Sequence, residues 1–119
     1  MILSSLGVIS GRGASSLNNG LFAAYNADNN ANDSLGTYNG TPIGGLTYTT
    51  GKIGNAFNFN GTNAYVSLPN NSMNLTGDFT ISIWVYYTAT GAQTLFANGF
   101  YDVGTNIYKG WAIIHLCKG

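Results

Sequence analysis

Cleaving a glycosidic bond requires two carboxyl groups at a fixed separation, one acting as acid and the other as base or nucleophile. The chain contains no Glu, and its four acids, Asp28, Asp33, Asp78 and Asp102, stand at loops or strand starts, well separated from one another. No two of them share a strand, so no carboxylate pair is on offer. A Ser/His/Asp relay is equally poorly served. His115 is the single histidine, it lies in an apolar run where a packed or hydrogen-bonded role suits it, and no serine stands in a Gly-x-Ser-x-Gly elbow. A lone histidine also falls short of the three or four ligands of a zinc site. The sequence therefore points away from catalysis and towards binding.

Two places carry binding chemistry. In Phe79-Thr-Ile81-Ser-Ile83-Trp84-Val85-Tyr86 the apolar positions alternate with Thr80, Ser82, Trp84 and Tyr86. An aromatic pair beside hydroxyls is the mixture that sugars select, because the C–H face of a pyranose stacks on a ring while polar groups fix its hydroxyls. Alternation alone does not say which face is outside, so Trp84 could equally belong to a core. The second place is Asn98-Gly-Phe-Tyr101-Asp102-Val-Gly-Thr-Asn106-Ile-Tyr108-Lys109, which is expected to be a long loop. Glycine-hinged loops with aromatic tips are common binding elements. Tyr101, Asp102 and Asn106 are its candidate ligand-binding residues.

The elements that must position these residues are strands. Side chains two apart on a strand share a face, and Phe57 and Phe59 alternate with Asn58 and Asn60 just as the Phe79 run does. Asn60-Gly61-Thr62-Asn63 supplies residues suited to a turn, which predicts a hairpin between Phe57–Phe59 and Ala64–Val66. Leu21–Tyr25, Leu46–Thr50, Gln93–Ala97 and Gly110–Leu116 are further strand candidates. In the last of these, Trp111, Ile113 and His115 share one face and Ala112, Ile114 and Leu116 the other.

The order Gly54-Asn-Ala-Phe-Asn-Phe-Asn-Gly61, then Ala64-Tyr-Val-Ser-Leu-Pro69, then Gly77-Asp-Phe-Thr-Ile-Ser-Ile-Trp-Val85 resembles the laminin-G-like jelly roll of the concanavalin A-like lectin and glucanase superfamily. It is similar also to the first half of the pentraxins. The likeness runs from about Leu21 to Leu116 and includes Asn32-Asp33-Ser34-Leu35-Gly36 with Asn39-Gly40-Thr41. It implies an all-β antiparallel jelly-roll sandwich, incomplete at its C-terminal end. The pentraxin likeness implies a calcium site at the second place, with Asp102 and Asn106 as ligands, although the two are not adjacent here. Asp28 and Asp33 offer another pair of hard oxygen ligands, against the alternative that Asx side chains there cap backbone N–H groups in a turn.

Residues 1–20, with Gly7, Gly11, Gly13 and a Ser/Asn run, are expected to form a flexible leader or attachment tag, and residues 21–119 the N-terminal portion of the jelly roll. An open sheet edge left by missing strands would invite pairing with another chain, which makes a homo-oligomer or an assembly of virion subunits the expected state.

Composition narrows the partners. Only 7% of the 119 residues are charged and the net charge is zero. The four basic residues, Arg12, Lys52, Lys109 and Lys118, are scattered, which argues against nucleic acid because phosphates demand a basic face. No apolar run approaches the about 20 residues that span a bilayer, and the first ten residues lack the basic start of a secretory signal. The five Asn-x-Ser/Thr triplets, at Asn32, Asn39, Asn60, Asn70 and Asn74, are what an Asn- and Thr-rich chain produces by chance. The Asn/Gly/Thr-rich composition is similar to that of bacteriophage head-fibre and tail-fibre adhesins, implying a virion or extracellular setting and a glycan or cell-surface polysaccharide as partner. The alternative is a structural virion protein that pairs with another subunit and binds no glycan.

Overall fold

In the computed structural model, residues 2–10, 20–70, 72, 75, 77–88, 90–102 and 107–116 are described, with the backbone alone for 2–10, 100–102 and 107–109. The described residues form nine strands and no helix, so none contains a helix long and apolar enough to cross a membrane. The chain divides into two units, Met1–Thr88 and Ala89–Gly119.

The first unit is built on β1 (Ile2–Ser10). Its whole length pairs antiparallel with β7 (Phe79–Tyr86). Along its other edge, Leu6–Ile9 pair with β2 (Leu21–Tyr25), and Ile2–Leu3 pair with β5 (Asn55–Asn58). β4 (Thr47–Thr50) extends the sheet beyond β5. The stretch expected to be a leader outside the sandwich therefore supplies the strand on which the sheet is assembled. Its sequence allows this, because Ile-Leu-Ser-Ser-Leu-Gly-Val-Ile-Ser holds no charge and no Pro, and a central strand must donate hydrogen bonds along both edges.

Register makes the sheet two-faced. Val85, Leu3, Phe57 and Tyr48 occupy one cross-strand row, and the next row runs Tyr86, Ile2, Asn58 and Thr47. Directly opposed residues share a face. In the first row Phe57 is buried and Val85 and Tyr48 are half-buried, whereas Tyr86, Asn58 and Thr47 are exposed. The inner face continues through Ile81 and Ile83 of β7 to Ala23 and Tyr25 of β2, the latter two fully buried. Tyr48 and Phe59 pack their rings on Phe57, at centroid distances of 5.8 and 6.1 Å.

β5 does not form the expected hairpin with the strand that follows it. β6 (Tyr65–Ser67) instead pairs with β3 (Thr41–Ile43) in a separate two-stranded sheet. The link between β5 and β6 is organised by Asn60. Its Oδ1 accepts the backbone N–H groups of Thr62, Asn63 and Ala64 at 3.0–3.1 Å, while its Nδ2 donates to the Gly44 carbonyl at 2.8 Å and to Asn63 Oδ1 at 2.9 Å. One side chain thus closes the turn on itself through three successive N–H groups and ties it to the β3–β4 connection.

The second unit contains β8 (Gln93–Asp102) paired antiparallel with β9 (Ile107–His115). The stretch expected to be a long loop, Asn98–Lys109, is for the most part strand, with residues 103–106 outside those described. Gly99 marks a close approach of two backbones rather than a loop, since it lies opposite Gly110, and a side chain on Gly110 would run into the Asn98 carbonyl. The register slips between Thr94 and Phe96, where Leu95 is the extra residue. Phe96 stacks on Trp111, with centroids 5.4 Å apart. Trp111, Ile113 and His115 are half-buried and Ala112, Ile114 and Leu116 exposed, the two faces expected from the sequence.

Candidate functional site: the outer face of the first sheet

The alternation in β7 resolves in favour of an exposed aromatic pair. Ile81, Ile83 and Val85 are half-buried, and Thr80, Ser82, Trp84 and Tyr86 turn outward. Trp84 is 56% exposed and Tyr86 64% exposed, so each ring presents most of its surface to solvent. A strand rise of about 3.4 Å per residue sets them roughly 7 Å apart on one face. Ser82 and Thr80 continue the same line with hydroxyls.

Two residues not expected at this site join it through the sheet. Asn58 and Thr47 lie in the cross-strand row of Tyr86, reached through Ile2 of β1. Asn58 Nδ2 donates to Thr47 Oγ1 at 3.2 Å, which orients the amide along the outer face. The sequence signal for Asn58 was present in its alternation with Phe57 and Phe59. Its place beside the aromatic pair depends on β1 lying between β5 and β7, which a reading of residues 1–20 as a leader leaves out.

The other candidates fall elsewhere. Tyr101 and Asp102 are in β8, opposite Tyr108 and Ile107, in the second unit; their side chains and the whole of Asn106 lie outside the described residues. Trp84 and Tyr86 belong to the first unit. Among the described residues no group of three or more His, Cys, Asp or Glu comes together to hold a metal ion.

For Asp33 the hydrogen bonds decide between the two alternatives. The residue is 3% exposed. Oδ1 accepts from the backbone N–H groups of Ala24 at 2.9 Å and Leu35 at 3.1 Å, and Oδ2 from those of Thr37 and Tyr38 at 3.2 Å each. Both carboxylate oxygens are engaged by backbone donors, which is the turn-capping arrangement of the two. Burial by itself would push the carboxyl group up, but the four N–H donors outweigh it and hold Asp33 below its ordinary value. Tyr25, whose hydroxyl donates to the Tyr38 carbonyl at 2.7 Å, is pushed well up, first by burial and then by the negative charge of Asp33. Phe22 stacks on Tyr38, with centroids 4.8 Å apart, and closes the outside of this knot.

The site is thus a shallow, uncharged strip of aromatic rings, hydroxyls and an amide on a hydrogen-bonded sheet. It can stack an apolar ring face and exchange hydrogen bonds with hydroxyl groups. Compared with family models, curated proteins and solved structures, the chain gives no match, so its function rests on this geometry.

Proposed function

We propose that the chain is a non-catalytic carbohydrate-binding or adhesion module of jelly-roll type, taking a glycan on the outer face of its first sheet. The observation that carries this reading is the outward exposure of Trp84 and Tyr86 beside Ser82 and Thr80. Keeping two large rings in water leaves their apolar surface available to a partner, and adjacent hydroxyls select a partner rich in hydroxyls itself. The strip is too shallow for tight single-site binding, so useful strength comes from several copies acting together. A multivalent adhesin on a virion or outside the cell provides that setting, and the low charge and the Asn/Gly/Thr-rich composition are in keeping with it.

The test is a carbohydrate array probed with the unaltered chain, Trp84→Ala and Tyr86→Ala. Each substitution is expected to weaken binding about tenfold, equivalent to about 1.4 kcal/mol, with unfolding midpoints unchanged because both rings are exposed. Binding that survives both changes would remove the site from consideration.

An assembly role has its own support in the second unit, where Ile114 of β9 and Leu116 just beyond its end are 52% and 74% exposed. If they pack against another subunit, Ile114→Ser with Leu116→Ser will reduce the sedimentation coefficient of the chain. An unchanged coefficient would count against it.

A further inference from the structure

Resting on the carbohydrate-binding reading, we propose that the ligand of the outer face is an uncharged polysaccharide lying across the strands, from the Trp84/Tyr86 pair to Asn58 and Thr47. Two independent observations support it. The first is charge. β1, β2, β4, β5 and β7 together contain no Asp, Glu, Lys or Arg. A uronate or sulfate laid on this sheet would give up hydration without gaining a cationic partner, whereas an arginine or lysine is the usual answer to such a group. Hydroxyls, by contrast, both donate and accept, and so match the side chains of Ser82, Thr80, Asn58 and Thr47.

The second is span. Strands lie about 4.8 Å apart, so Asn58 is roughly 10 Å from Tyr86 along the row and Thr47 roughly 14 Å. A sugar ring stacked on one aromatic does not reach that far, while the next units of a chain do. The Thr47 and Asn58 side chains are already fixed against each other by the Asn58 Nδ2 to Thr47 Oγ1 bond. An amide held in place loses little further freedom on binding and still has its Oδ1 and second N–H to offer.

The experiment is isothermal titration of the full chain with neutral oligosaccharides of increasing length prepared from glucans, mannans and galactans. Homogalacturonan and heparan sulfate serve as acidic polymers, and every titration is run at low and high salt. For one neutral series, affinity should rise at least about tenfold from the monosaccharide to a short chain and be insensitive to salt. Asn58→Ala should flatten that gain while leaving the melting temperature in place, and Trp84→Ala should weaken binding at every length. Stronger binding of an acidic polymer that fades with salt would overturn the charge argument and leave the carbohydrate reading standing. Affinity independent of length, or untouched by Asn58→Ala, would overturn the cross-strand path alone. If neither class of polymer binds, the carbohydrate reading falls with the inference.

Discussion

Replacing Asp33 by Asn should cost the first unit about 3 kcal/mol of stability. The amide keeps one oxygen, enough for the Ala24 and Leu35 N–H groups or for the Thr37 and Tyr38 pair, but not for both. Its NH2 group then faces two donors, and unsatisfied buried N–H groups cost about 1–3 kcal/mol each. Against a total stability of about 5–15 kcal/mol, this is between about a fifth and three-fifths of the whole. Urea denaturation measures the loss, and Asp28→Asn is the matched control. Asp28 is an exposed residue of the same loop and should change stability by less than about 0.5 kcal/mol. Equal effects of the two substitutions would show that the carboxylate is not what holds the turn.

The same carboxylate gives stability a definite dependence on pH. Its folded value lies below the ordinary 3.8, so at intermediate acidity the unfolded chain binds the proton more readily than the folded one. The stabilisation is fully present above the unfolded value and disappears as pH falls through the folded one. Unfolding midpoints should therefore decline below about pH 4, and Asp33→Asn should flatten that decline. A slope unchanged by the substitution would assign acid sensitivity to another group.

Gly44→Ala should destabilise for two separable reasons. Gly44 has φ of +71°, where an L side chain costs about 1–2 kcal/mol. In addition, an added Cβ would be driven into the Asn63 carbonyl, which is backbone and is held in place by the Asn60 side chain. Overpacking of that kind adds about 1–3 kcal/mol. Gly61, with φ of +74° and open space around it, isolates the first reason. Gly61→Ala is thus expected to lose only the conformational part, and the difference between the two chemical denaturation curves measures the contact. Indistinguishable curves would mean that the Gly44–Asn63 approach carries no energy.

Legibility in the sequence followed the range of the interactions. β2, β4, β7 and the two faces of β9 were visible because alternation is a local signal, as in Ile81, Ile83 and Val85 against Ser82, Trp84 and Tyr86. The Asp33 turn was visible as one of two alternatives, since Asn-Asp-Ser is rich in side chains that capture nearby N–H groups. What failed was pairing. Asn60-Gly61-Thr62-Asn63 has the composition of a hairpin turn, yet the Asn60 amide captures three successive N–H groups and reaches across to Gly44, and β5 and β6 pair in different sheets. Gly99 suggested a loop because a glycine at a backbone approach and a glycine in a loop look alike until the partner, here Gly110, is known. Half of the candidate site was legible for the same reason: Trp84 and Tyr86 from β7 alone, Asn58 and Thr47 only through β1.

The placement of β1 also has a consequence in time. Ile2 and Tyr86 are partners, so β7 can close on β1 only after the more than eighty residues between them have been synthesised. Pairings this distant along the chain carry a large loop-closure cost and slow the search for the native state. Until then β1 is an uncharged strand with one edge waiting for its neighbour, and such edges are the ones that chaperones shield and that stray into association with other nascent chains. Production of the chain should therefore be more sensitive to the rate of synthesis and to temperature than that of a sheet built from local hairpins.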